Sequence, residues 1–267
     1  MRDIRIAAVV CNAPVFQTQQ NLARMTRWVS AAKNQGAVLV CFPEMNISGY
    51  SPRPEIRALA EPVPGPITRN LQRLARDQNM VILAGLAEKD ENARIFASHL
   101  AIAPNGILGV YRKLHIAPPE RDVFSSGREV ALFEIQNLKF GIQLCYDAHF
   151  PELATRMAID GADIIFMPHA SPRGTPAAKF ASWMRHLPAR AFDNGLFIVA
   201  CNQTGANQTG LTFPGLALVI GPSGEILAKD LSGNEGLLLV NLKAGDLAGV
   251  RHHAMRYFLP HRRPEIY

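Results

Sequence analysis

Only four of the 267 residues are cysteine, and no Cys-x-x-Cys pair occurs among them. Cys11, Cys41, Cys145 and Cys201 are too few for a disulfide scaffold of this length and lack zinc-ligand spacing. Long hydrophobic runs are missing as well. Nothing approaches the roughly 20 consecutive apolar residues of a membrane helix. The first ten residues hold a short apolar run behind an Asp, without the longer core and small-residue cleavage site of a secretory signal. The expectation is a first buried strand in a cytoplasmic chain that does not engage membranes. His-x-His and His-Glu-x-x-His spacings are absent too, which argues against a metal site built on His149, His169 and His186.

What is present is an ordinary globular composition, 48% apolar and 19% charged, enough to bury a substantial core. The net charge is +6, and part of the excess is local: residues 251–263 carry four Arg and no acid. A basic tail can bind nucleic acid, but no aromatic–basic repeat or Gly-rich RNA motif accompanies it. It is better read as covering the domain, meeting a partner subunit or facing anionic substrates.

Apolar runs and amphipathic stretches alternate from end to end. Strands are expected over 4–10, 37–42, 81–86, 95–103, 106–111, 131–135, 140–144, 163–167, 196–201, 216–220, 225–230 and 237–241. Helical spacing occupies 21–34, 67–78, 151–160 and a long 177–194 interrupted near Pro188. Pro104-Asn-Gly106 and Gly221-Pro-Ser-Gly224 mark hairpin turns. No repeat, low-complexity segment or linker divides the chain. One α/β domain over residues 1–267 with a mixed sheet or sheets follows, and the loops at its strand ends are where function is expected.

Three side chains stand at such strand ends. Cys145 closes Lys139-Phe-Gly-Ile-Gln-Leu-Cys145 just before a helix that opens at Pro151. A strand–turn–helix junction lifts a side chain above the sheet and can aim backbone N–H groups at an oxyanion. A packed strand-end thiol, the better reading of Cys11, Cys41 and Cys201, fits the same pattern. Glu44 follows a buried strand and a proline, where partial desolvation raises a carboxylate toward general-base duty. Lys113 follows Gly109-Val-Tyr-Arg112, where an ammonium can stabilise an oxyanion. Taken singly, Glu44 reads as a capping acid and Lys113 as a surface charge.

Taken together, these segments resemble the nitrilase superfamily of carbon–nitrogen hydrolases. The likeness lies in Phe42-Pro-Glu-Met with Gly49-Tyr50, in Tyr111-Arg-Lys-Leu-His115, and in Leu144-Cys-Tyr-Asp with Phe150-Pro-Glu152. The pattern over 4–241 is compatible, so the resemblance covers nearly the whole chain. It implies a four-layer α-β-β-α sandwich with two mixed sheets and a Glu–Lys–Cys triad at Glu44, Lys113 and Cys145. It also implies a homodimer or higher homo-oligomer formed through the layer that holds the nucleophile's helix, with residues 243–267 packing on a partner. A second acid after the lysine falls on Glu120, with Asp122 as rival. The implied chemistry is thioester-mediated hydrolysis of a small linear amide or N-carbamoyl compound, or of a nitrile with the same triad. Glu44 would serve as base, with Lys113 and the N–H near Tyr146 facing the oxyanion. That chemistry needs no metal or organic cofactor.

Specificity residues are less sharply marked. Arg173 can grip a substrate carboxylate bidentately or form a salt bridge. His169 can face the pocket or cap the adjacent helix. Carbamoylases of the family place basic residues after the nucleophile to bind a carboxylate, and this chain has Ala148 and His149 there. His149 is thus a pocket candidate or a loop residue bonded to backbone. Tyr50 can close one side of the pocket or simply pack. His115 is read as scaffold, Asn194 as a helix C-cap, Asn202 as structural or at the pocket rim, and Trp183 as core or interface.

Overall fold

The computed structural model describes residues 1–266. The chain runs through β1 (Ile4–Val10), α1 (Thr18–Asn34), β2 (Leu39–Cys41), α2 (Pro66–Gln78), β3 (Val81–Lys89), β4 (Ile95–Ala103) and β5 (Gly106–Arg112). It continues through β6 (Leu132–Ile135), β7 (Leu138–Ile142), α3 (Pro151–Ile159), β8 (Ile164–His169), α4 (Pro176–Trp183), α5 (Leu187–Asn194) and β9 (Phe197–Asn202). The small hairpin β10 (Thr204–Ala206) and β11 (Thr212–Pro214) follows. Then come β12 (Ala217–Ile220), β13 (Ile226–Asp230), β14 (Gly236–Leu242) and α6 (Ala244–Arg251).

Alternation along the strands dictates the layers. In β1, Ala7 and Val9 point one way, to Met25, Val29 and Ala32 of α1 and Ile67, Leu71 and Ala75 of α2. Ile6, Ala8 and Val10 point the other way, into the core shared with the second sheet. Val40, Ile82 and Ala84 repeat the outward choice, while Leu39, Cys41 and Leu83 repeat the inward one. Because both faces are covered, these strands read as near-continuous apolar runs.

Two six-stranded sheets result, ordered β14-β1-β2-β3-β4-β5 and β13-β12-β9-β8-β7-β6. Each has three parallel strands, β1–β2–β3 or β7–β8–β9, flanked by antiparallel ones. β14 returns from the far end of the chain to pair with β1, Ile4 opposite Leu242. With α1 and α2 on one outer face and α3 and α5 on the other, the architecture is the four-layer α-β-β-α sandwich.

The differences from the pattern are local. The helix over 177–194 is two helices. The chain turns at 184–186, and Pro188 then sits in the first turn of α5, where its missing N–H costs nothing. The strand at 37–42 shortens to β2 because Phe42 already leads into a tight turn over β3. The 204–214 hairpin has no strong alternating pattern to announce it. Residues 244–251 form a helix tied to their own domain: the Arg251 guanidinium donates to Asp163 Oδ1 at 2.7 Å, Ala162 O at 2.6 Å and Gly195 O at 3.1 Å. Tyr267, the last residue of the expected partner-contacting tail, lies outside the described residues. Among the described residues no helix is long and apolar enough to cross a membrane.

Candidate active site

The parallel strands β2 and β7, together with β5, bring Glu44, Cys145 and Lys113 to one end of the sandwich. Glu44 lies three residues beyond β2, in a turn stapled onto β3. Asn46 Oδ1 accepts from Gly85 N at 2.8 Å, Ile47 N donates to Gly85 O at 2.9 Å, and Ser48 Oγ accepts from Ala87 N at 3.0 Å. The turn passes so close to β3 that a Cβ on Gly85 would sit 2.5 Å from Met45 N. Met45 adopts a left-handed φ of +53°. From the second sheet, Gln203 Nε2 donates to Glu44 O at 2.8 Å.

The Glu44 carboxylate is fully buried and has two partners. Oε1 accepts from Lys113 Nζ at 2.9 Å and Oε2 from Ala170 N at 3.0 Å. Lys113, 1% exposed, also donates to Glu120 Oε1 at 2.9 Å. Glu120 occupies a short helical turn, and its carboxylate accepts from Tyr50 Oη at 2.8 Å and Ala117 N at 3.0 Å. One ammonium is therefore clamped between two buried carboxylates. Asp122 is exposed at the protein surface, so Glu120 is the acid that joins the cluster.

Cys145 opens a helical turn, Cys145–His149, in a left-handed conformation with φ +44°. A non-glycine residue held there costs about 1–3 kcal/mol, and such strain concentrates at functional sites. Asp147 supports the turn. Its carboxylate accepts from Leu144 N at 3.0 Å, Tyr111 Oη at 2.8 Å and His115 N at 2.8 Å. Tyr111 and His115 bracket Lys113 by two residues on each side, so Asp147 locks the thiol's turn to the ammonium's strand. His115 also stacks on Phe150 with ring centroids 3.7 Å apart, a scaffold role. At the far end of the turn, Arg190 donates to Ala148 O and His149 O.

The electrostatics follow from burial. Desolvation drives Glu44 up, Lys113 pulls it back, and the carboxyl settles at about 7. Burial and the neighbouring Glu44 push the Cys145 thiol to about 12, with Lys113 opposing. Burial alone would lower Lys113, but the two carboxylates outweigh it and hold the ammonium above its ordinary range. The arrangement suits a thiol that keeps its proton at rest and yields it to Glu44 as it attacks. Cys145 as a residue is half-buried, unlike the buried Cys11, Cys41 and Cys201.

The other expected residues are more dispersed. Tyr50 is buried with its hydroxyl committed to Glu120, which makes it a support for the cluster. Tyr146 is half-buried, edge-on to His149 and Phe150. His149 is exposed and its ring lies 4.5 Å from that of His186. His169 is buried, donates from Nδ1 to Met167 O at 2.7 Å, and packs on Trp183 at 4.4 Å. Burial lowers it to about 3, so the imidazole is neutral. Arg173 is exposed at φ +70°, and no ion pair holds its side chain among the described residues. Gly195 provides the left-handed end of α5, while Asn194 Nδ2 donates back to Arg190 O. Asp147, Gln203 and the Ala170 N–H were not singled out by sequence. Asp147 alone carried a local signal, as the acid two residues past the thiol.

A buried carboxylate, a clamped ammonium and a thiol on a strained turn at one end of this sandwich define the layout of a cysteine-dependent hydrolase. The chain belongs to the carbon–nitrogen hydrolase family, whose model matches residues 5–252. It is 30% identical to a nitrilase of Pyrococcus abyssi over 268 residues, 99% of each chain. It is 29% identical to an N-carbamoylputrescine amidase of Solanum lycopersicum, covering 92% of this chain and 88% of that one. An amidase from Nesterenkonia sp. AN1 superposes with a TM-score of 0.84 at 26% identity, over 98% of this chain and 95% of that one. In that structure the active-site cysteine carries the acetamide moiety of fluoroacetamide.

The close passage of the Glu44 turn over β3 makes Gly85 a sensitive position. Gly85→Ala is expected to destabilise the protein by about 1–3 kcal/mol, read from its urea midpoint. Activity should fall with it as Glu44 is displaced, and an unshifted midpoint would contradict the packing.

Proposed function

We propose that the protein hydrolyses a small linear amide or N-carbamoyl compound through a thioester on Cys145. The observation that carries this is the Glu44–Lys113–Glu120 clamp, whose charges act on the Cys145 thiol. Glu44 takes the thiol proton as sulfur attacks the carbonyl carbon. The oxyanion is met by Lys113 and by the Tyr146 N–H, which lies in the first turn of a helical segment and so lacks a carbonyl behind it within that segment. Glu44 passes the proton to the departing nitrogen as the C–N bond breaks. It then takes a proton from water, whose oxygen attacks the thioester, and the proton returns to sulfur as the C–S bond breaks. Glu120 and Tyr50 hold Lys113 in place throughout. Tyr146, His149, His169 and Arg173 are the candidates for lining the substrate's path.

Rapid quenching with a panel of small amides should leave an acyl adduct on Cys145, detected by peptide mass spectrometry. Cys145→Ala should carry none and release no ammonia. Glu44→Gln is expected to lose about 10²–10⁴-fold in rate while staying folded. Ammonia release that survives Cys145→Ala would sink the proposal. A nitrilase among the relatives makes nitrile hydrolysis the second reading. Matched amide and nitrile pairs decide between the two by rate.

The raised Glu44 carboxyl sets a pH dependence. The ionised form is the base, and it becomes the majority only as pH rises through about 7. For a neutral amide, kcat/KM should fall about tenfold per unit below that point. A flat profile between pH 5.5 and 8 would remove Glu44 as the base.

Ile159 of α3 and Phe192 of α5 are exposed, as is Phe258 of the segment after α6, whose ring lies 5.5 Å from that of Phe192. We assign this face to a second copy of the chain, in line with the oligomer that the family resemblance implies. Sedimentation should show twice the chain mass, and Phe192→Glu should shift the protein toward monomer. A wild-type monomer at micromolar concentration would refute it.

A further inference from the structure

Lys179 was not among the expected site residues. It lies in α4, half-buried, and the loop beneath it, residues 170–172, comes directly off the end of β8. Ala170 N of that loop donates to Glu44 Oε2 at 3.0 Å. Ser171, the next residue, is gripped on both sides of its backbone: Ser171 N donates to Asn202 Oδ1 at 2.9 Å, and Asn202 Nδ2 donates to Ser171 O at 3.0 Å. The Lys179 ammonium donates to Ser171 Oγ at 2.7 Å and to Pro172 O at 3.2 Å.

Three features set this lysine apart. An ammonium has three N–H donors, and the two neutral oxygens take only two of them. No carboxylate pairs with it among the described residues, although half-buried charges ordinarily find a counter-charge. Its position is fixed by a loop that also touches the base: Ala170, the neighbour of Ser171, donates to Glu44 Oε2. Lys113, by contrast, is already compensated by two carboxylates. Arg173, for which the sequence left a carboxylate grip and a salt bridge equally open, stands exposed on the same loop with its backbone N donating to Thr212 O.

We propose that Lys179 is a specificity-determining residue whose free N–H binds a carboxylate on the substrate, so that the preferred substrates are small amides carrying an acid group beyond the scissile bond. This rests on the amide-hydrolase proposal for the chemistry, but binding can be read apart from turnover. The immobilised ammonium loses little freedom on binding, and its partial desolvation strengthens the pairing.

The test compares succinamate with butyramide, which has the same chain length with a methyl in place of the carboxylate. Wild type should favour succinamate in kcat/KM by at least tenfold, mostly through KM. Lys179→Met should collapse that ratio toward one, and Lys179→Arg should restore part of it. Arg173→Ala should change the ratio less than Lys179→Met does. In parallel, calorimetry on Cys145→Ala, which forms no thioester, should show succinamate binding that is lost in Cys145→Ala/Lys179→Met. This arm stands even where neither amide is turned over. Equal losses on both amides in Lys179→Met would make the residue a support for the Ser171 loop and overturn the proposal. Equal binding of succinamate with and without Lys179, or no binding to either protein, would overturn it as well.

Discussion

The site depends on one buried cation. Lys113 sits 2.9 Å from both Glu44 and Glu120, with almost no exposure to water. Removing a charge from solvent costs several kcal/mol per ion even after relaxation, so the three groups persist only as a set. With both acids ionised the set carries one excess negative charge. Backbone N–H groups of Ala117 and Ala170 and the Tyr50 hydroxyl accommodate it. Burial, with a smaller push from the second carboxylate, is why Glu44 settles near neutrality rather than in the ordinary carboxylate range. The energetic compromise that keeps Lys113 inside the protein is what prepares Glu44 to accept a proton.

Holding that set against the thiol is a matter of connecting two sheets. Glu44 and Lys113 belong to the first sheet and Cys145 to the second. Asp147 bridges them by accepting from Tyr111 and His115 on the lysine's side and from Leu144 on the cysteine's. Gln203 makes the reciprocal link, reaching from the end of β9 to the Glu44 carbonyl. Such buried cross-sheet hydrogen bonds rigidify more than their individual energies suggest. The left-handed backbone at Met45 and Cys145 is tolerated because this surrounding network leaves neither turn an alternative.

Much of this was legible because the informative residues carry local signals. Glu44, Lys113 and Cys145 each follow a buried apolar strand, and a strand end is visible in a window of ten residues. The choice between Glu120 and Asp122 was not, since both lie in one loop two residues apart. Only the helical turn at 118–120 aims one of them inward. Lys179 gave no warning at all. Helical spacing shows which face of α4 is apolar but not that a clamped loop lies under its polar edge. For Arg173 the sequence leaves a carboxylate clamp and a salt bridge equally open; the structure shows its left-handed backbone bonded to Thr212 and its side chain exposed.

The sequence by itself determined the strand–helix order, the burial of both faces of the central strands, and the three side chains placed at one set of strand ends. These follow from periodicity and from where apolar runs stop, which neighbouring residues dictate. The tertiary structure alone decided which acid joins Lys113, how Asp147 couples the two sheets, and which loop the Lys179 ammonium is seated on. The coupling of the two sheets depends on contacts between segments 32 to 159 residues apart. Their geometry arises only when the two sheets pack face to face.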